Sequence, residues 1–459
     1  MPPFPQVSVE AEEVVYPHAD RDACMMSVWC HGNTCLVRRG DHVVASGIER
    51  IPGAAGRNRL RWVLFERGHD GWQARQREPS HGSREPSPLG VLADGRVFLS
   101  VNPTCDPRAV FGPTRPALLE FAMRDLSLSP REILPVWREG AGFNQHSYRT
   151  FVTDGENGEM ILFQNMGVPA EGPSDTHAEW TFRDRYGQWA YQGRLVWPWA
   201  DRAVPPQPLR LCYPVITLVN RAVYFLGVSD IIEPKPEWRE FRTTHTFDFR
   251  RLFFTWCPDI ATGRFEKWIE IADLEETAGY MNALDIRVDS QGEVHLLWHE
   301  MACDPGVRDR FFPEFKQSLA IKYAVLHEGK VRLRKTLVIG GPEYDGSEEP
   351  CWGRFHTTAD GRLFVFCTLG HRTSDDPKAA SARILEIYAD GNVSEPVPVP
   401  LKVPLMMFFT ATPRGGSRPS DILDVLGVPG WTSGVTRYAR IRIAPENRRA
   451  GFQPRVTSP

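Results

Sequence analysis

The chain has 459 residues, 42% hydrophobic and 24% charged, with a formal net charge of −3. That is the balance of a soluble globular protein with material for a large core. So small a charge offers no field to draw nucleic acid or an anionic membrane, and no apolar stretch nears the roughly 20 residues of a membrane helix.

The first segment, MPPFPQVSVEAEEVV, carries neither the basic nor the apolar region of a signal peptide. The cysteines are Cys24, Cys30, Cys35, Cys105, Cys212, Cys257, Cys303, Cys351 and Cys367. They are odd in number, scattered, and lack a Cys-x-x-Cys pair, so they read as reduced and mostly buried thiols. Both features lean toward a cytoplasmic location.

Further along, a turn-then-strand signature recurs. SVWCHGNTCLVRRGDHVVASG (27–47) is the first hairpin, and RWVLFERGHDGWQARQ (61–76) supplies outer strands with tryptophan and charge. LADGRVFLSVN (92–102), VTDGENGEMILFQN (152–165), LVNRAVYFLGVSD (218–230), VDSQGEVHLLWHE (288–300) and TADGRLFVFCTLG (358–370) follow. Each is a strand, an Asp-Gly or Asn turn, and a strand. RDRYGQWAYQGRLVW (183–197) and YAVLHEGKVRLRKTLV (323–338) fit outer strands, and 403–443 makes a last hairpin. A spacing of roughly 60–70 residues predicts an all-β, seven-bladed β-propeller, one domain over 1–459. VSVEAEEVV and RYARIRI are placed to share one blade and close the ring. Two segments fall outside the pattern. PSDILDVLG (419–427) opens on an N-cap serine and reads as a turn or two of helix. EPKPEWREFRTTHTFDFRRL (233–252) reads as an inserted excursion over one face.

The innermost strand of each blade lines the channel, so positions at equal distance before each turn converge at the opposite end. His146 lies about eight residues before Asp154, Tyr213 about seven before Asn220, and Asn282 about seven before Asp289. Trp352, Arg354 and His356 lie about eight, six and four before Asp360, and Arg84 and Glu85 about ten and nine before Asp94. His146, Tyr148 and Arg149 crowd a stretch where a plain core strand would carry valine and isoleucine. The opposing reading is that these groups merely fill the channel with hydrogen bonds and water. His42, His69, His81 and His327 sit at turns or outer strands and read as surface. His295 and His299 flank Trp298, but HLLWHE has the wrong spacing for a zinc helix and lies on a strand. No metal site is expected, no cofactor is required, and a structural calcium ion would have no motif behind it.

An inventory of arginine, histidine and tyrosine suits a uronic acid. Arginine neutralises the carboxylate, and His or Tyr removes the C5 proton while the other protonates the leaving oxygen. Tyrosine titrates near ~10 and needs neighbouring arginines to depress it before it acts as a base. Hydrolysis would instead want two carboxylates, and Glu85, Asp230, Glu233 and Asp285 are candidates without a paired motif.

The hairpins VLADGRVFLSVN, FNQHSYRTFVTDG, LCYPVITLVNRAVYFLGVSDIIEP and RFHTTADGRLFVF resemble the BNR-repeat-like, sialidase-shaped seven-bladed propellers. Within them they look most like the branch holding ulvan lyases and the rhamnose–glucuronate-cleaving enzymes of gum arabic side chains. The resemblance spans roughly residues 25–445. It implies a lyase in which His146 and Tyr213 carry proton transfer. An arginine then neutralises the carboxylate, with Arg149, Arg210, Arg239 and Arg354 competing for the place, and His177 or His356 stands in for a second histidine; Arg84, Asn282, Trp352 and His356 join the substrate-binding set from the count along the strands. The implied partner is a uronate-containing polysaccharide or oligosaccharide. A sialidase proper would carry Asp boxes, of which only remnants such as DRYGQW remain. The rival readings are a rhamnosidase-like hydrolase on the same scaffold and a non-catalytic glycan-binding propeller.

Overall fold

Aspartate-capped turns set the architecture. In the hairpins Asp94, Asp154, Asp289 and Asp390 each accept a hydrogen bond from a backbone N–H two to four residues on. The glycines that follow at 95, 361 and 391 adopt φ of 84°, 90° and 79°, a left-handed conformation that a side chain would strain. The computed structural model describes residues 5–17, 27–29, 31–54, 58–79, 82–106, 108–109, 112–165, 176–200, 207–242, 247–341, 343–344, 348–370, 380–430 and 433–444.

These hairpins build seven four-stranded antiparallel sheets, the blades of a β-propeller. From channel to rim, blade one runs Leu36–Arg39, His42–Arg50, Leu60–Gly68 and Gly71–Arg77. The inner strands of blades two to seven are Leu89–Val91, Thr150–Asp154, Leu211–Val219, Tyr280–Val288, Glu349–Thr357 and Met407–Thr410. Inner strands are buried on both faces, as in Leu211–Val219, whereas rim strands such as Lys330–Gly340 alternate. The apolar run and the period of two are thus read directly from position in the blade. Phenylalanines 98, 151, 163, 182, 225, 254 and 364 are fully buried within and between blades, each stabilising by about 1.5–3 kcal/mol. Blade seven takes its outermost strand from the other end of the chain: Val7–Pro17 pairs with Val435–Ile443, from Val7↔Ile443 to Pro17↔Val435.

The segment read as helical at 419–427 is instead the second strand of blade seven, Ile422–Val428. Ser420 Oγ accepts from the Ile422 N–H at 3.0 Å and caps a turn rather than a helix. Six of the seven strand residues are buried between two neighbours, so sheet pairing overrides the local signal. Residues 233–242 carry one short helix, Pro236–Arg239. Its buried Trp238 packs with Val307, from the helix Pro305–Phe311 of blade five. Glu233 anchors the segment by accepting Arg250 Nη1 and Nη2 at 2.6 and 2.9 Å and Arg242 Nη1 at 2.7 Å.

Two crossing segments close the channel. At the end away from the turns, residues 31–33 lie across it. Arg354 and Arg414 donate to the His31 and Gly32 carbonyls. Asn33 Nδ2 donates to the Arg149 carbonyl at 2.8 Å. At the turn end, residues 412–417 cross from blade seven, with the Thr153 and Val91 N–H groups donating to the Arg414 and Gly415 carbonyls. The seven described cysteines are all free thiols; Cys24 and Cys30 lie outside the described residues.

Candidate active site

The starts of blades two, three and four meet above the His31–Asn33 crossing. Residues 82–88 enter blade two, 144–149 enter blade three, and Leu211–Val219 opens blade four. Tyr213 sits in a bulge between Cys212 and Val215. Tyr148 and Tyr213 both take positive φ, 45° and 46°, which for an aromatic residue is strain that clusters at functional sites.

Four rings form a closed set. His146 stands 4.6 Å from Tyr148, Tyr148 5.0 Å from Tyr213, Tyr213 5.5 Å from Trp29, and Trp29 6.0 Å from His146, between centroids. Beneath, His31 stacks on Tyr213 at 4.6 Å and 18°, and meets the edge of Trp352.

Carboxylates back this set from two sides. His146 Nδ1 lies 2.9 Å from Glu85 Oε1, with the Glu85 side chain 1% and the His146 side chain 21% exposed. An ionised carboxylate only accepts, so Nδ1 carries the proton and Nε2 is the basic nitrogen. Burial alone would raise the Glu85 carboxyl, yet the His146 bond, with Arg149 and Arg84 nearby, holds it below the usual range. Asp230, fully buried on the other side, is raised by burial, against opposition from Arg210, His146 and a hydrogen bond from Tyr148. Arg210 Nη2 lies 2.8 Å from Asp230 Oδ2, and its side chain is 26% exposed. Tyr213 is pushed well above the usual tyrosine value by burial, with Tyr148, Cys212, Tyr280 and Asp230 adding to it. The depressed tyrosine that base chemistry needs is therefore not found at Tyr213. Its hydroxyl makes no hydrogen bond among the described residues, so it is a protonated donor without a protein acceptor.

The remaining sequence-derived residues divide. Arg84 lies buried beside Glu85. Arg149 donates through Nη2 to the Pro86 carbonyl at 2.7 Å and the Glu85 carbonyl at 3.2 Å, and so braces the loop that holds Glu85. Arg354 is wholly buried, bonded to the Leu284 and His31 carbonyls, and lowered by burial to about 9. It supports the floor rather than lining an anion funnel. Trp352 Nε1 donates to the Phe408 carbonyl, also below the floor. Asn282 Oδ1 accepts from the Tyr280 hydroxyl at 3.2 Å, and Tyr280 reaches Tyr213 through Phe249. Arg239 is exposed on the short helix, its Nε on the Glu233 carbonyl.

His356 lies at the turn end of its strand, where Nε2 donates to the Ser420 carbonyl at 2.7 Å. His177 is in the third strand of blade three, on Glu179 at 3.1 Å. Neither approaches the four rings; the histidine that does is His31. Asp285 is held by Arg414 and the Phe355 N–H inside the channel. His299 donates Nε2 to the Pro350 carbonyl and is buried. Position 81 lies outside the described residues. The sequence reading counted Trp29 and His31 into the first hairpin, 27–47, but that hairpin begins at Leu36, and Trp29 and His31 precede it. Their one clue was an aromatic–His-Gly stretch without a strand pattern.

No family profile matches the chain, and no curated protein matches it in sequence. Among solved structures the fold is shared with a PL25 ulvan lyase bound to -[GlcA(1-4)Rha3S]-, at TM-score 0.55 and 10% identity over 94% of each chain. It is shared with the polysaccharide lyase Uly1, at TM-score 0.51 and 11% identity over 90% of each chain. The GH93 α-L-arabinofuranosidase of Fusarium graminearum aligns more loosely, at 0.44 and 12% identity over 77% of this chain and 91% of its own. At these identities the likeness is one of fold.

Proposed function

We propose that the chain is a polysaccharide or oligosaccharide lyase that cleaves a uronate-containing glycan by β-elimination. The observation that carries this reading is the pairing of His146, fixed through Nδ1 on Glu85, with Tyr213, whose hydroxyl has no partner among the described residues, across a single ring of aromatics. His146 Nε2 takes the C5 proton of the uronate. The C5–H electron pair forms the C4–C5 double bond as the C4–O bond breaks, and Tyr213, held protonated by burial, gives its proton to the leaving oxygen. Arg210 is partly exposed and reaches the rings through Asp230, which Tyr148 hydrogen-bonds. Its guanidinium, held on Asp230 through Nη2, keeps an exposed edge with which to meet the substrate carboxylate. Trp29, partly exposed, offers an apolar face to the sugar.

A hydrolase is the second reading, favoured by the opposite shifts of Glu85 and Asp230, the pattern of a base and an acid. It ranks below the lyase because both side chains are only 1% exposed, withdrawn behind His146 and Tyr148 where they cannot touch a glycosidic oxygen. The test is to incubate the protein with uronate-bearing polysaccharides, glucuronate–rhamnose polymers first. A lyase releases products with the ultraviolet absorbance of an unsaturated uronate. New reducing ends without that absorbance would establish the hydrolase, and binding without cleavage the glycan-binding propeller.

A further inference from the structure

The opposite face of the propeller holds a second cluster of chemistry. At the turn of blade five, Asp289, Glu293 and His295 each place one donor atom within 4.8 Å of the others, the only such triad among the described residues. They line a cleft of about 1170 Å3 between blades five and six. We propose that this triad binds a divalent transition-metal ion such as manganese or zinc.

The turn itself does not require the triad. Its aspartate is structural, as in the sister turns: Asp289 Oδ1 accepts from the Gln291 and Glu293 N–H groups. The residues four and six beyond the turn aspartate are Phe98 and Ser100, Gly158 and Met160, Phe364 and Phe366, and Ser394 and Pro396 in the turns of Asp94, Asp154, Asp360 and Asp390. Blade five alone has Glu293 and His295 there. Alternation along the strand puts both on one side, the side toward the remaining Asp289 oxygen, Oδ2.

The independent observation is the orientation of His295. The residue is 8% exposed. Its ring is stacked on Tyr323 and edge-on to Phe355. Its Nδ1 is taken by the Tyr323 hydroxyl at 2.7 Å. The second nitrogen, Nε2, stands 3.7 Å from Asp289 Oδ2, too far for a hydrogen bond, and has no other partner among the described residues. An imidazole nitrogen facing a carboxylate, with its other nitrogen held by a second-shell group, is how histidine is set to ligate a metal. Ligands at about 2.0–2.2 Å from a tetrahedral ion stand roughly 3.5 Å apart, so the three donors would close on the ion as it binds.

One nitrogen and two carboxylate oxygens suit manganese, cobalt or zinc, not the all-oxygen shells of calcium and magnesium. Arg287, Arg332 and Arg362 share the cleft. Arg362 is held by Asp360 at 3.1 Å and Arg287 by Thr357 at 2.6 Å, which turns two of the three toward other partners. Three protein ligands leave the ion positions open to the cleft.

The experiment is calorimetric titration of the full, chelator-stripped chain with MnCl2, a cation with little affinity for thiols, repeated with ZnCl2 and CaCl2. One saturable manganese site is expected, with calcium much weaker. Glu293→Gln, at a half-buried position that leaves the fold intact by circular dichroism, should weaken binding at least tenfold. His295→Gln should do the same, and Tyr323→Phe should cost about 10–100-fold. Absence of saturable binding would overturn the site. So would manganese affinity unchanged in folded Glu293→Gln, because the ion would then sit elsewhere.

Discussion

Glu85 and His146 are joined across the boundary of two blades, Oε1 to Nδ1 at 2.9 Å, with the carboxylate sealed from solvent and the imidazole partly open. This pair orients the ring and fixes which nitrogen is basic. Glu85→Gln keeps the size but presents an amide that holds the wrong tautomer as readily as the right one. Turnover of a cleaved uronate polymer should fall by ~10²–10⁴ with little change in melting temperature. A variant within twofold of wild type would remove Glu85 from the mechanism.

Tyr213→Phe removes the proton donor while keeping the ring that stacks on His31. The hydroxyl has no protein partner to lose among the described residues, so stability should be unchanged within ~0.5 kcal/mol. Activity should fall by ~10²–10⁴. Tyr148→Phe is the contrasting variant. It breaks the bond to buried Asp230 and should lower stability by about 1–3 kcal/mol as well. Equal melting temperatures for the two variants would contradict this division, and denaturant titration measures it.

Gly32 is the tightest point of the floor. A Cβ there would overlap the Pro214 carbonyl, main chain that cannot swing aside. Gly32→Ala should destabilise by about 1–3 kcal/mol and disturb the His31–Tyr213 stack that rests on the same segment. Chemical denaturation and near-ultraviolet circular dichroism read both effects; wild-type stability would show that the floor yields.

Burial lowers His356 to about 4 from an ordinary 6.5. Across that window the unfolded chain binds a proton that the folded state excludes. Stability therefore falls as pH drops from about 6.5 toward about 4, by up to ~1.4 kcal/mol per unit. His356→Gln cannot titrate. Its stability should decline less steeply than wild type over the same range, which denaturant melts at stepped pH will show. Parallel curves would mean that the imidazole is not buried neutral.

Arg210→Ala, if the charge meets the substrate carboxylate, should raise KM and lower kcat together for a uronate glycan. It should leave unaffected any binding of a neutral analogue in which the carboxyl is esterified. An equal loss for both substrates would assign Arg210 to holding Asp230 alone.

Much of this protein was legible in the chain itself. Asp-Gly turns, apolar inner strands and alternating rim strands are local properties of the backbone, and they repeat, so the seven-bladed propeller could be read without any contact between blades being known. Counting back from each turn also brought His146, Tyr213, Arg84 and Glu85 to one end of the channel, because a strand advances by a constant step. Distance from the turn does not say which side of the crossing segment a side chain meets: Trp352 and Arg354, in unbroken register with their neighbour strand on the turn side of the Pro350/Trp352 bulge, fall below the floor, whereas Tyr213 stands in the bulge between Cys212 and Val215. His356, four residues from its turn, never left the turn end. What an arginine does is decided by which carbonyls ring closure brings within reach: Arg149 braces the Glu85 loop and Arg354 the crossing segment. The crossing segment itself, with Trp29 and His31, has no period to betray it, since it belongs to no blade. Its place is fixed by contacts distant in sequence, among them the hydrogen bonds from Asn33, Arg354 and Arg414, which span 116 to 382 residues. Periodicity records pairing between neighbours in the chain, and it carries no trace of groups that meet only when the ring has closed.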